Sequence, residues 1–220
     1  MLNDAELSYW RERGVTITDP DIVTIDEGVQ IGRGSVIEGE NRLKGKTVIG
    51  ENVLLEPGNI LKNCNVGDGC KVLKSVISDS YVGSGTTVGP FAHIKVNSNI
   101  GSRCRIGNFV EIKNSALGDG CKTAHLAYVG DCSLGKACNV GCGVIFINYD
   151  GEKKYRSTVG NKVFVGSNSN IIAPVNIGDG AYIAAGSTVD IDLPERCLCI
   201  GRCRPLIKEW HSKYNPKEDV

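Results

Sequence analysis

The chain has 220 residues, with 25 basic and 25 acidic side chains and no formal net charge. This length suits one large or two small domains, and the balanced charge provides no attraction to nucleic acid or to an anionic membrane. No apolar run is long enough to span a bilayer, and the N-terminus lacks the basic start and apolar stretch of a secretory signal. We therefore expect a cytoplasmic protein with no nucleic-acid or membrane partner.

The cysteine and glycine contents are both unusual. Without an export signal, the ten cysteines are expected to be reduced thiols. No pair of CxxC motifs is present, which argues against a zinc ribbon, although "CLCIGRC" (Cys197 to Cys203) leaves a soft-metal site open beside simple packing. Aromatic residues make up 6% of the chain against 28 glycines. The core must therefore be organised by something other than bulky side chains.

Residues 1–19 are predicted to form an N-terminal capping segment with one helix. In "NDAELSYWRER", Asn3 or Asp4 can serve as the N-cap, and Leu7 and Trp10 fall on one helical face. Such a helix would cover one end of the domain that follows.

Aliphatic residues recur every six positions through most of the chain, often followed by glycine. Six is not near a multiple of 3.6, so a helix would scatter them around its surface. Six does fit a short strand plus a tight turn, and three such units form one coil of a triangular solenoid with stacked aliphatic ladders inside. Glycine permits the corner dihedrals. The repeated positions are Ile25, Ile31, Ile37, Leu43, Ile49, Leu55, Leu61, Val82, Val88, Ile94, Ile100, Ile106, Ile112, Val129, Leu134, Val140, Val159, Val165, Ile171, Ile177, Ile183 and Val189.

The pattern predicts an all-β fold, a left-handed parallel β-helix over residues 20–190. One polar stretch, "INYDGEKKYRST" at 147–158, breaks the phase and must leave the coil at a corner as a projecting loop. Residues 191–220 are predicted to be a C-terminal tail containing a short amphipathic helix in "RPLIKEWHSKYNPKEDV".

Several segments resemble a known enzyme family. They are "VGPFAHIKVNSNIG", "IGNFVEIKNS", "AHLAYVGDC", "NVGCGVIFINYDG", "VFVGSNSNIIAPVNIGDGAYIAAGSTV" and "CIGRCRP". Between Val88 and Arg202 the chain resembles the acetyltransferase half of the bifunctional N-acetylglucosamine-1-phosphate uridyltransferase/glucosamine-1-phosphate acetyltransferase family. No "LAAGxGTRM"-type nucleotide-binding segment is present. The resemblance therefore implies a stand-alone acetyltransferase, without uridyltransferase activity, that converts glucosamine 1-phosphate and acetyl-CoA to N-acetylglucosamine 1-phosphate, a cell-wall precursor.

The resemblance places His125 at the position of the family's catalytic base. Acyl transfer needs a neutral amine, and an imidazole can accept the departing proton near neutral pH. Cys142, where many members have alanine, and Asn148 match further catalytic positions, and the backbone N–H of Cys142 would stabilise the oxyanion. A nucleophilic Cys142 thiol is an alternative, but nothing in the sequence places a base beside it.

The remaining site residues are also implied by the resemblance. Five match the positions around the phosphosugar: Lys95, Lys113, Tyr128, Asn139 and Lys154. Lys95 stands in "IKVN", where the family's motif is "LRPG"; lysine keeps the charge but loses the bidentate fork of arginine. Six match acetyl-CoA positions: Cys142, Asn148, Tyr149, Ser167, Ala185 and Arg202. The family acts as homotrimers with sites shared between subunits, and no metal is expected in the reaction.

Three other functions stay open. An acetyltransferase acting on a different amino sugar or sugar phosphate is favoured by Lys95. A hexapeptide-repeat carbonic anhydrase needs three metal-ligating histidines, but only His93, His125 and His211 exist and no H-x4-H occurs. A non-catalytic scaffold would not need His125 or the "NYDG" loop.

Overall fold

The protein is a parallel β-solenoid with a helix at its N-terminal end, as seen in a computed structural model that describes residues 2–207. The helix Asp4–Glu12 begins at Asn3, whose side chain accepts from the N–H of Glu6 at 3.0 Å while the Glu6 carboxylate accepts from the N–H of Asn3 at 2.8 Å. Trp10 is buried against the first coils. A short 3₁₀ helix, Pro20–Ile22, follows.

Three parallel sheets form the sides of the prism. Sheet A has eleven strands: Thr16–Ile17, Val36–Ile37, Leu54–Leu55, Lys71–Val72, Thr87–Val88, Arg105–Asn108, Lys122–His125, Asn139–Val140, Phe164–Val165, Tyr182–Ile183 and Leu198–Cys199. Sheet B has ten: Thr24–Ile25, Arg42–Lys44, Ile60–Lys62, Val76–Ser78, His93–Lys95, Glu111–Lys113, Tyr128–Gly130, Ile145–Ile147, Asn170–Ile172 and Thr188–Val189. Sheet C has nine: Gln30–Ile31, Val48–Ile49, Asn65–Val66, Tyr81–Val82, Asn99–Ile100, Ala116–Leu117, Cys132–Leu134, Ser157–Val159 and Asn176–Ile177.

Each strand pairs with the strand one coil above and one coil below it, so the chain visits sheets A, B and C in turn. This all-parallel solenoid of about ten turns agrees with the predicted left-handed parallel β-helix of hexapeptide repeats. The predicted aliphatic ladders form the interior: Ile37, Leu55, Val165 and Ile183 of sheet A, for example, are fully buried.

The glycines that follow the aliphatic residues have a different role from the predicted one. Gly83 is an example: it does not have a positive φ, but a Cβ added there would lie 2.6 Å from the carbonyl carbon of Gly101 on the next coil. These glycines permit close approach between coils. Corners with positive φ are formed by other glycines, such as Gly85, and by many other residues. Some of these are asparagine or aspartate, such as Asn114 and Asp131, which tolerate that region better than most side chains. Others, such as Val96 and Leu126, have no such preference.

The C-terminal prediction falls mostly outside the described residues. Residues 204–207 have no regular secondary structure, and the rest of the predicted helix, with His211, lies beyond residue 207. All ten cysteines are free thiols. No helix within residues 2–207 is long and apolar enough to cross a membrane.

Candidate active site

His125 ends a strand at the corner between sheets A and B. The two strands Arg105–Asn108 and Lys122–His125 are longer than most of their neighbours in sheet A, and their pairing continues to Asn108 and His125. Gly107 makes this pairing possible, since a Cβ there would lie 2.7 Å from the carbonyl carbon of Ala124. The His125 side chain is exposed rather than turned into the aliphatic interior, so its imidazole is accessible to a substrate.

A column of predicted cofactor residues continues from His125 along the same corner. Val140, Val165 and Ile183 are in register, so the residues two positions further on stack as well. The backbone hydrogen bonds agree: the N–H of Gly143 donates to the carbonyl of His125 at 3.3 Å, and the N–H of Asn168 donates to that of Cys142 at 2.7 Å. From the N-terminal end, the column consists of His125, Cys142, Ser167 and Ala185.

This corner column has the length of an extended ligand arm. At about 4.8 Å per coil, three coils separate His125 from Ala185 by roughly 14 Å. Arg202 lies at the far end, where its Cδ is 3.6 Å from the position that a Cβ on Gly186 would occupy. The backbone N–H of Cys142 makes no hydrogen bond to any of the residues 2–207 and is one coil away from His125.

Sheet B carries most of the predicted phosphosugar residues. Lys95 and Lys113 are in register on neighbouring strands. Lys95 forms an ion pair with Glu111, with its Nζ 3.0 Å from the carboxylate. The positive charge of Lys95 is therefore partly balanced within the chain, whereas Lys113 and Lys154 lie close together.

The two lysines affect each other's protonation. Contact with Lys113 lowers the pKa of Lys154, and the same contact raises the pKa of Lys113. Both side chains reach the surface, and a dianionic group placed between them would relieve their mutual repulsion. This pair is the strongest candidate for a phosphate site on sheet B.

The projecting loop is residues 148–156, since Ile147 and Ser157 still belong to strands. It is a short hairpin: Tyr149 and Lys154 form an antiparallel bridge, and the N–H of Asp150 donates to the carbonyl of Lys153 at 3.2 Å. Hydrogen bonds from the N–H groups of Lys153 and Glu152 lower the pKa of the Asp150 carboxyl. The loop is therefore an ordered hairpin that brings Lys154 to Lys113.

The base of this loop is fixed by Asp131, a residue that the sequence analysis missed. Asp131 is 7% exposed, and its carboxylate accepts from the side-chain amides of both Asn114 and Asn148. The Asn148 amide also donates to the Tyr128 hydroxyl at 3.3 Å. Asn148 itself is buried. The only available signal was a polar residue, in "VGDC", at a corner facing the loop.

Two predicted residues lie apart from these groups. Asn139 begins a strand of sheet A, between Lys122 and Phe164 in register, and is therefore around the corner from Lys113. Tyr149 is exposed on the hairpin, where its hydroxyl donates to the carbonyl of Gly151. A single chain thus divides the predicted site among sheet A, the A–B corner, sheet B and the hairpin that leaves between sheets B and C. Among residues 2–207, no group of three or more His, Cys, Asp or Glu side chains is placed to hold a metal ion.

Comparison with known proteins shows the type of repeat and the fold. Residues 156–190 match the family model described as bacterial transferase hexapeptide (six repeats). The UDP-N-acetylglucosamine acyltransferase from Campylobacter jejuni has a similar solenoid, with a TM-score of 0.64 at 20% identity over 83% of this chain and 70% of that one. The chain is a hexapeptide-repeat domain.

The similarity to curated proteins is more specific. The chain is 48% identical over 209 residues to the "Bifunctional protein GlmU" of Synechococcus elongatus, covering 95% of this chain and 46% of that protein. It is 45% identical over 204 residues to the protein of the same name from Shouchella clausii, covering 93% and 45%. The chain thus spans about half the length of these relatives and corresponds to their C-terminal half. The resemblance found in the motifs is confirmed.

Proposed function

We propose that the protein is an acetyltransferase that transfers the acetyl group of acetyl-CoA to the amine of glucosamine 1-phosphate. Its hexapeptide-transferase fold and its relatives support acyl transfer in general. The finer proposal depends on one observation. An accessible His125 lies at the A–B corner, and the Lys113–Lys154 pair lies on the adjoining sheet B and its hairpin.

These groups supply the chemistry of the proposed reaction. The sugar amine attacks the thioester carbonyl carbon, the C–N bond forms, and the carbonyl oxygen becomes an oxyanion. His125 removes the proton from the attacking nitrogen, while the unpaired N–H of Cys142 donates to the oxyanion. Collapse of the intermediate breaks the C–S bond and releases CoA, whose thiolate takes up a proton. The products are the acetamido sugar phosphate and CoA.

The two substrates would lie on adjacent surfaces. Acetyl-CoA extends along the A–B corner past Ser167 and Ala185, with a phosphate near Arg202. The acceptor lies on sheet B, with Tyr128 beside the sugar and the two lysines on its phosphate. Asn148, predicted as a catalytic and acetyl-CoA residue, lies apart from the A–B corner, buried at the base of the hairpin beside Tyr128. Because Asn139 faces away from this surface, it would serve the site of a neighbouring subunit in a homotrimer, where two prisms form a cleft that one flat prism lacks.

The alternative acceptor is a different amino sugar or sugar phosphate. Its support is the ion pair of Lys95 with Glu111, which leaves two lysines rather than three for the acceptor's phosphate. Release of free thiol from acetyl-CoA should be measured with glucosamine 1-phosphate, glucosamine, glucosamine 6-phosphate and galactosamine 1-phosphate. Preference for one of the last three acceptors would replace the proposed substrate. The absence of thiol release with all of them would reject the activity.

The first prediction concerns His125. His125→Ala should lower kcat by about 100-fold or more with little change in KM for acetyl-CoA, because the base is lost while the binding surfaces remain. Steady-state thiol release measures both constants.

His93→Gln is the matched control, since His93 is a half-buried histidine two strands from Tyr128 on sheet B. It should keep kcat near that of the unaltered protein. Near-normal turnover in His125→Ala would show that another group takes the proton.

A further inference from the structure

The position of Asp131 has more connections than a solenoid corner requires. One carboxylate oxygen accepts from Asn114 on the preceding coil, and the other accepts from Asn148 at the start of the projecting loop. Its backbone carbonyl accepts from the N–H of Ser157, directly after the loop, at 3.1 Å. One residue therefore holds both ends of a nine-residue excursion.

A second anchor acts on the same corner. The guanidinium of Arg156 donates to the carbonyls of Asn114 and Cys132 at 2.8 and 2.9 Å, and to the Ser133 hydroxyl at 2.9 and 3.1 Å. These contacts fix the last residue of the loop. The side chain of Asp131 is the corresponding restraint on its first residue, Asn148.

The charge of Asp131 also matters for the lysine pair. Its carboxylate attracts both ammonium groups and favours their charged forms, in opposition to the contact with Lys113 that lowers the pKa of Lys154. The other charged or titratable groups facing the pair are Glu111 and Tyr128. A largely buried anion close to two surface cations favours their staying together.

The same chain contains a corner that lacks these additions. Asp79 has the same left-handed backbone as Asp131, with φ of 47° against 49°, and it accepts from the Asn63 amide at 3.3 Å as Asp131 does from Asn114. Asp79 is exposed and no loop leaves its corner. The contact with the previous coil is thus the ordinary role, and the contact with Asn148 is additional.

We propose that Asp131 is a positioning residue, which holds Asn148 and the projecting loop against sheet B so that Lys154 stays beside Lys113, where the phosphate of the acceptor binds. This inference rests on the proposed function for its substrate. The restraint of the loop by Asp131 does not depend on that function.

The test is Asp131→Asn, which keeps the shape and suits the left-handed backbone but removes the charge and one acceptor. The KM for glucosamine 1-phosphate should rise about tenfold, with a clearly smaller change in kcat/KM for glucosamine, which has no phosphate. Trypsin cleavage after Lys153 and Lys154 in the folded protein should become about tenfold faster, because the loop opens more often. Asp79→Asn, the matched control, should change neither quantity.

Each outcome decides something. Asp131→Asn with the cleavage rate and KM of the unaltered protein would overturn the inference, as would equal losses for both acceptors, which indicate a general structural defect. The unaltered protein could acetylate none of the amino sugars while Asp131→Asn is still cleaved faster than Asp79→Asn. That result would reject the proposed function and support the role of Asp131 in holding the loop. Should Asp131→Asn not fold, Asn148→Ala removes the same contact from the loop side, and unchanged cleavage there would also overturn the inference.

Discussion

At the scale of single residues, the interior ladder of sheet A contains one irregularity. Thr123 lies in register between Ile106 and Val140 and is fully buried. Its hydroxyl finds no hydrogen-bond partner among the described residues. An unpaired buried hydroxyl loses its water without compensation, which costs about 1–3 kcal/mol.

Thr123→Val should therefore increase the free energy of unfolding by about 1 kcal/mol, since valine has the same shape and no polar atom. Denaturant titration of the folded protein measures this change. Thr86→Val is the contrasting variant, because the Thr86 hydroxyl donates to the Gly101 carbonyl and accepts from the Cys104 N–H, both at 3.0 Å. It should lower stability. A loss of stability in Thr123→Val would mean that its hydroxyl is paired in solution.

The role of Cys142 can be separated into backbone and side chain. In the proposed reaction only the N–H contributes, so Cys142→Ala should keep kcat within about threefold of the original value. A fall of 100-fold or more, together with an acetylated intermediate detected by mass spectrometry in the unaltered protein, would instead establish the thiol as a nucleophile. His125→Ala serves as the impaired reference in the same assay.

At the scale of elements, the projecting loop illustrates what the sequence could predict. Loss of the six-residue phase predicted a loop at 147–158, and the structure has it at 148–156. Its internal order was not predicted, because that order depends on Asp131 and Asn114, which are 17 and 34 residues before Asn148 in the chain. These contacts arise from the stacking of coils, and no local pattern encodes them.

The same limit applies to Lys95. The resemblance named Lys95 and Lys113 as neighbours of the phosphosugar, and they lie in register on adjacent strands of sheet B. It did not predict the ion pair of Lys95 with Glu111. Some repeats have five residues instead of six. The interior tolerates them, because each repeat still places an aliphatic side chain in the core. The five-residue repeats do, however, change which outward side chains become neighbours. The interior of this fold was therefore predictable in detail, and its surface chemistry much less so.

At the scale of the whole molecule, burial divides the ten cysteines into two groups. Cys64, Cys70, Cys104, Cys121, Cys132 and Cys138 are buried, while Cys142, Cys197, Cys199 and Cys203 are partly or fully exposed. Burial raises the pKa of the Cys64 thiol to about 11 and also raises that of Cys132. Since the thiolate is the reactive form, both inaccessibility and protonation protect Cys64 and Cys132. A hydrogen bond with Cys121 lowers the pKa of Cys138, so that thiol is protected by inaccessibility alone.

We therefore expect the six buried cysteines to react with a thiol reagent at neutral pH only after unfolding, whereas Cys203 reacts in the folded protein. Labelling with iodoacetamide, with and without guanidinium, followed by peptide mass spectrometry would locate each modified residue. Rapid labelling of Cys64 in the folded protein would contradict the packing described here.

The anchored hairpin has a consequence for how the chain finds its fold. Coils of similar length and similar interior composition are nearly interchangeable, so a strand docked one level too high or too low would satisfy most of the same hydrogen bonds. Only one level brings Asn148 against Asp131 and Arg156 against Ser133. The hairpin contacts therefore favour the correct register. If the coils on either side of the hairpin stacked one level out of place, these contacts would be lost.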